Sequence, residues 1–141
     1  MFGAADEIRH TDKDTGAQKC MKLARLDLIP PIPLWELGEH FGKGSQKYSD
    51  NNWRKGYSWS ISYAALQRHL QLFWAGEEMD DCKPGCPTDC KNHTHSPHII
   101  AAAWHCFVLR EFMILHPGKD DRFKATLDAF QKMMTTPPQG K

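Results

Sequence analysis

The chain has 141 residues, close to the roughly 150 of an average domain, so a single modest core is expected and two full domains are excluded. Its 18 Lys and Arg against 17 Asp and Glu leave a net charge of +1, without the basic excess of a dedicated nucleic-acid binder, so no nucleic-acid polymer is expected as a partner. The longest apolar stretch, around Ile99 to Leu109, contains His105 and is about half of the roughly 20 residues that cross a bilayer, so no membrane span is expected either.

The segment from Met1 to Lys22 is polar, with no apolar stretch of a secretory signal, which points to the cytoplasm. There the five cysteines are expected as thiols or metal ligands. Val108 is the only valine while Leu and Ala are plentiful, which argues against a large sheet and for an all-α fold of about four helices. A mean hydropathy of −0.60 is low for a globular domain, so the core is expected to need an oligomer interface, a metal, or both.

In chain order, residues 1–21 carry no periodic apolar pattern and are read as a flexible arm, followed by a single domain over 22–134. Lys22 to Pro33 (KLARLDLIPPIP) crowds apolar residues around Arg25 and Asp27 before a proline cluster, which suits an extended or single-turn piece. Leu34, Leu37 and Phe41 recur at helical spacing, and Gly42 and Gly44 are positioned to end that first helix. A loop is expected next, from Lys43 to Trp59, and it is basic and aromatic. It holds Lys43, Lys47, Arg54 and Lys55 among Tyr48, Trp53, Tyr57 and Trp59.

Ser60 or Ser62 caps a second helix, expected to run through Ala65, His69 and Phe73 to about Glu78. Residues 82–97 form a Pro-, Cys- and His-rich insert that cannot build a core by itself. A third helix is predicted from near Pro97 to about Leu115, where Pro117 stops it. Asp120 or Asp121 caps a fourth, whose stripe of Phe123, Leu127, Phe130 and Met134 is read as packing. Residues 135–141 are read as a disordered tail.

His69, Phe73, Glu77 and Asp80 are spaced four, four and three and share one face at the C-terminal end of the second helix, with His98 and His105, seven apart, on one face of the third. Antiparallel packing would bring His98 near Glu77 and Asp80. The acidic group Glu77, Glu78, Asp80 and Asp81 at a helix end is self-repelling, so either it is a solvated surface or something positive sits there. Carboxylate oxygens suit Mg²⁺ or Mn²⁺, and added imidazole shifts the preference toward Mn, Co or Zn. The metal reading takes His69, Glu77, Asp80 and His98 as ligands.

In the basic-aromatic stretch, Lys and Arg suit phosphate oxygens while Tyr and Trp offer a stacking surface, a pairing that fits a nucleotide. The competing reading makes the aromatics core and the lysines solvated. Cys82, Cys86, Cys90, His93 and His95 form a separate soft-ligand cluster suited to a closed structural Zn²⁺, or else a surface insert of idle thiols.

KLARLDLIPP (22–31), FGKGSQKYSDNNWRKG (41–56), AALQRHLQLFWAGEEMD (64–80) and the Ser96-Pro97-His98 that opens the third helix resemble, in the same order, the N-terminal domain of the bacteriophage dATP/dGTP diphosphohydrolase family. The resemblance implies a MazG-like helical bundle and a pyrophosphohydrolase that cuts dATP or dGTP to monophosphate and pyrophosphate, adjusting the purine deoxynucleotide pool during phage infection. It carries over Lys47 and Tyr48, Asn52 and Trp53, Arg68 and His69, Gly76, Glu77 and Asp80, and His98. The expected assignment has Glu77, Asp80 and His69 or His98 holding Mg²⁺ or Mn²⁺, with Glu78 as general base. Arg25, Lys47, Arg54 and Arg68 would meet the triphosphate, Asn52 would line the same site, and Trp53 or Tyr48 would stack on the base. A homodimer or tetramer in the host-cell cytoplasm is expected. Two alternatives stand beside this: a non-catalytic sponge for a nucleotide or nucleotide signal, and a zinc-stapled module that binds a host protein.

Overall fold

The computed structural model describes residues 8–81, 85–87, 89–90 and 93–135. The chain divides into two compact units, Met1–Trp35 and Glu36–Lys141. Its helices are α1 (Pro31–Lys47), α2 (Trp59–Trp74), α3 (His98–Leu115) and α4 (Leu127–Thr135), and the strands are β1 (Ile8–Thr11) and β2 (Gln18–Met21). The fold is mostly α, as the composition requires.

The first unit corrects one expectation. Residues 8–21, within the stretch read as a flexible arm, form an antiparallel hairpin with Ile8 opposite Met21 and Thr11 opposite Gln18. Turn chemistry, not apolar alternation, sets it: the Asp12 carboxylate accepts from the backbone N–H groups of Asp14 and Thr15 and from the Thr15 hydroxyl, and Gly16 supplies a φ of 71°. Residues 1–7 of that arm, and 136–141 of the tail read as disordered, lie outside the described residues. Lys22 to Pro33 does contain the single turn, at Leu26–Leu28, and its Leu23, Leu26 and Leu28 are exposed.

Helix α1 begins on the proline cluster instead of being stopped by it, because a proline in the first turn lacks only an N–H that has no intrahelical partner anyway. It also runs through Gly42 and Gly44 to Lys47. Each interior glycine costs about 1 kcal/mol, but the buried Leu37 and His40 and the contacts of Phe41 with Trp53 and Trp104 outweigh that local preference.

Helix α2 stops at Trp74, short of the expected Glu78. Gly76 at φ +96° ends it, with the Gly76 N–H donating to the Phe73 carbonyl and the Glu77 N–H to the Leu72 carbonyl, the paired bonds of a glycine C-terminal cap. Its other end is capped by a distant residue: Asp121 accepts from the backbone N–H of Ser60 at 2.9 Å and from its hydroxyl at 2.5 Å. Asp121 is therefore spent on α2 and not on α4, while Asp120 binds Arg122 and Lys124.

Helices α2 and α3 pack antiparallel, since Trp59 Nε1 donates to the His116 carbonyl, Ser62 meets His105, and His69 meets His98. The apolar core sits at one end of this pair, where Trp59, Val108 and Phe112 are buried beneath Trp53, Tyr57, Trp104 and Leu109. Gly56 is required beside it: at φ +80°, with an added Cβ only 2.7 Å from the His116 ring, no side chain fits. By length and composition alone α3 is apolar enough to cross a membrane, longer than the stretch the sequence suggested, but it is also the helix against which α2 packs.

The α4 stripe does not pack as expected. Phe123, Leu127, Phe130 and Met134 are all exposed, from 53% at Leu127 to 80% at Phe123.

Candidate functional site

The other end of the α2–α3 pair is polar. After Gly76 the chain turns back as an extended segment in which Met79 pairs with Pro97. The His98 N–H donates to the Glu78 carbonyl, the Asp80 N–H to the Ser96 carbonyl, and the His95 N–H to the Asp80 carbonyl. Asp80 therefore reaches the site from an extended strand and not from the helix face that the spacing suggested.

There it joins His69 from α2 and His98 from the first turn of α3, with one ligand atom of each within 4.8 Å of the others. His98 is fully buried and His69 nearly so, their Nδ1 atoms 2.9 Å apart. The other His98 nitrogen, Nε2, lies 3.1 Å from Glu77 Oε1, so this carboxylate sits on the outer side of His98. Glu78 is exposed, and its backbone carbonyl makes the hydrogen bond to α3.

The charges are set by the surroundings. Burial acts to raise the Asp80 pKa, but two hydrogen bonds from Thr94, through its N–H at 2.9 Å and its hydroxyl at 2.7 Å, together with His69 and His98, hold it below the ordinary carboxylate value. Burial lowers the pKa of His69, against the pull of Asp80. His105, one ring away at 5.7 Å, and His40 on α1 are each pushed to about 4, mainly by burial and then by neighbouring positive charge. Burial that favours a neutral His69 and hydrogen bonds that favour an ionised Asp80 give the protonation states a divalent cation requires of such ligands. Two nitrogens and one oxygen suit Mn²⁺, Co²⁺ or Zn²⁺ better than a site of oxygens alone.

The residues predicted to meet a nucleotide lie on several elements. Arg68 is exposed on α2 beside His69 and acts on its charge. Tyr48 is exposed with the Lys47 ammonium over its ring. Trp53, a predicted stacking surface, is half-buried against Phe41 and Phe112 in the core, with Arg54 over its ring. Asn52 opens the short turn that carries both. Arg25, in the first unit, is held by Asp27 through bonds of 2.7 and 2.5 Å.

In the insert, Cys86, Cys90 and His93 also group within 4.8 Å, and the His95 Nε2 lies 3.9 Å from Cys86 Sγ. Cys82 lies outside the described residues. The sequence reading missed Thr94, which fixes Asp80, and His40, whose burial only α1 packing creates. It placed Lys43 in a loop. Instead this lysine belongs to α1 and donates to the His95 carbonyl at 2.6 Å and the Ser96 hydroxyl at 3.1 Å, tying α1 to the segment that carries the site.

One family model, described as dATP/dGTP diphosphohydrolase, N-terminal, matches residues 13–122. No curated protein and no solved structure matches the chain.

Proposed function

Because this chain belongs to the dATP/dGTP diphosphohydrolase N-terminal family, we propose that it hydrolyses purine deoxynucleoside triphosphates to the monophosphate and pyrophosphate, with a divalent cation held by His69, Asp80 and His98. The observation that carries this reading is the convergence of those three side chains, two of them buried, within 4.8 Å of one another. Bound there, the cation would polarise the α-phosphate and acidify a water.

The protein's own groups divide the remaining work. Glu77 holds His98 from outside at 3.1 Å, fixing the ring, and its half-exposed carboxylate is the group at the site edge able to accept a proton from the attacking water. Glu78 is exposed on the same strand and is the second candidate for that proton. Arg68 stands beside His69 to meet phosphate oxygens, and Tyr48 offers an exposed ring for the base, while Trp53 serves the core. Exposed apolar residues such as Ile61, Phe107 and Ile114 support assembly as a homodimer or tetramer. The setting we propose is the cytoplasm of a phage-infected cell, where the enzyme would reshape the purine deoxynucleotide pool.

The test incubates the protein with each deoxy- and ribonucleoside triphosphate and Mg²⁺ or Mn²⁺, then separates the products by ion-exchange chromatography. Monophosphate and pyrophosphate from dATP or dGTP are expected, with Mn²⁺ the better activator, and both are lost with EDTA and in Asp80→Asn. Nucleotide bound tightly but returned intact, with no need of a divalent ion, would overturn hydrolysis in favour of sequestration.

A further inference from the structure

A second cluster lies beside this site, and its geometry points to a tetrahedral zinc centre formed by Cys86, Cys90, His93 and His95, with Asp81 orienting His95. At Zn–S of about 2.3 Å and Zn–N of about 2.0 Å, neighbouring ligand atoms of a tetrahedron stand about 3.3–3.8 Å apart, a sulfur and a nitrogen about 3.5 Å. Cys90 Sγ is 3.6 Å from His93 Nδ1, and Cys86 Sγ is 3.9 Å from His95 Nε2. Cys86, Cys90 and His93 converge within 4.8 Å. His95 stands outside that group of three and meets it through Cys86, so a small shift of the His95 ring toward Cys90 and His93 would complete an S₂N₂ ligand set.

The partner of His95 is the independent sign. Its other nitrogen, Nδ1, lies 2.6 Å from Asp81 Oδ1. A carboxylate on one imidazole nitrogen turns the opposite nitrogen into a fixed, more basic ligand. Here that opposite nitrogen is the one aimed at Cys86. Carboxylate on one nitrogen and thiol on the other is the arrangement of a ligating histidine with its outer partner.

The centre would have a structural consequence. Thr94 lies between the two histidine ligands and donates both of its hydrogen bonds to Asp80, while the His95 N–H donates to the Asp80 carbonyl. Ligation would fasten residues 93–95 and, through them, hold Asp80 toward His69 and His98. Thr94 is thus a positioning residue, a consequence that rests on the proposed role of the His69–Asp80–His98 group; the zinc centre itself does not.

Cobalt(II) separates the two sites, since only thiolate ligands give a near-ultraviolet sulfur-to-cobalt charge-transfer band. The full chain is stripped with chelator under reducing conditions, titrated with Co²⁺, and then challenged with Zn²⁺. One equivalent of Co²⁺ carrying that band is expected, displaced by Zn²⁺. The band should vanish in the Cys86→Ser/Cys90→Ser double variant and persist in His69→Ala, so failure of the zinc centre and failure of the proposed reaction are read apart. Asp81→Asn should keep the band but weaken metal affinity about 10- to 100-fold. Absence of the band in the wild-type chain, which needs no variant to fold, would overturn the centre, as would its survival in the double variant. A wild-type titration curve for Asp81→Asn would overturn the role of Asp81.

Discussion

His40 should make the fold acid-sensitive in a window that its surroundings define. The side chain is 7% exposed, and its Nδ1 is buried without a hydrogen-bond partner among the described residues. Burial first, then the charges of His69 and Lys43, push its pKa from 6.5 down to about 4, against an upward pull from Asp80. In the unfolded chain this imidazole takes up a proton near its ordinary value, whereas in the folded chain it resists until about pH 4. The depressed pKa of a base means that stability is full above the unfolded value and falls as the pH drops toward the folded one. At 1.36 kcal/mol per pKa unit, His40 alone costs the folded state about 2 kcal/mol between about pH 8 and pH 5. With a urea slope of about 1–3 kcal/mol per molar, that moves the midpoint by about 1 M. Tryptophan fluorescence in urea, repeated across this range for wild type and His40→Leu, reads the contribution of His40 together with its coupling to His69 and His105, since titrating groups away from it cancel in the difference. The variant should lose about 2 kcal/mol less on acidification. Parallel stability curves for the two proteins would refute the reasoning.

Other perturbations test the frame around the site. Phe112→Ala removes a fully buried ring packed edge-on against Tyr57 at 4.9 Å, and should cost about 3–5 kcal/mol in urea unfolding. Gly56→Ala should cost more than about 1 kcal/mol, because the new Cβ meets the His116 ring at a φ that L residues rarely adopt; a wild-type midpoint would refute the assignment. Thr94→Val strips two hydrogen bonds from the Asp80 carboxylate, so its pKa should rise and the affinity for Mn²⁺, followed by calorimetry at neutral pH, should fall about tenfold or more. If the proposed cation site holds, Mn²⁺ should raise the melting temperature, His98→Ala should abolish that rise, and Arg68→Ala should preserve it and weaken only nucleotide binding.

Elements whose limits depend on local chemistry were the ones legible in the sequence. Pro97 before an apolar run placed the start of α3, and Leu115 before Pro117 placed its end. The same rules misplaced α1, because prolines in a first turn and glycines on a helix are read locally as stops, while the burial of Leu37 and His40 is a tertiary fact. The hairpin escaped notice because its determinant is the Asp12 turn, and its strands show no apolar alternation. For α4 the error ran the other way: a periodic apolar stripe predicts amphipathicity but does not name what it faces, and here its side chains are exposed.

At the site, three of the four side chains expected to share a metal converge, with Glu77 outside their group, but they do so by a different geometry from the one helical spacing suggests. His69, Asp80 and His98 were singled out on the premise that α2 continues to Glu78, yet Gly76 ends the helix and the chain doubles back. Asp80 still reaches His69, because residues 78–80 pair with 95–98 and return it to the helix end. An extended return and a further turn of helix deliver a residue to the same neighbourhood, but with different supporting partners. A helical Asp80 would owe its position to α2 alone. The extended Asp80 owes it to Thr94, Ser96 and His95, residues that helical spacing could not have connected to it. Damage to the 93–96 segment should therefore reach the His69–Asp80–His98 group as directly as damage to α2 does, although no residue of that segment belongs to that group.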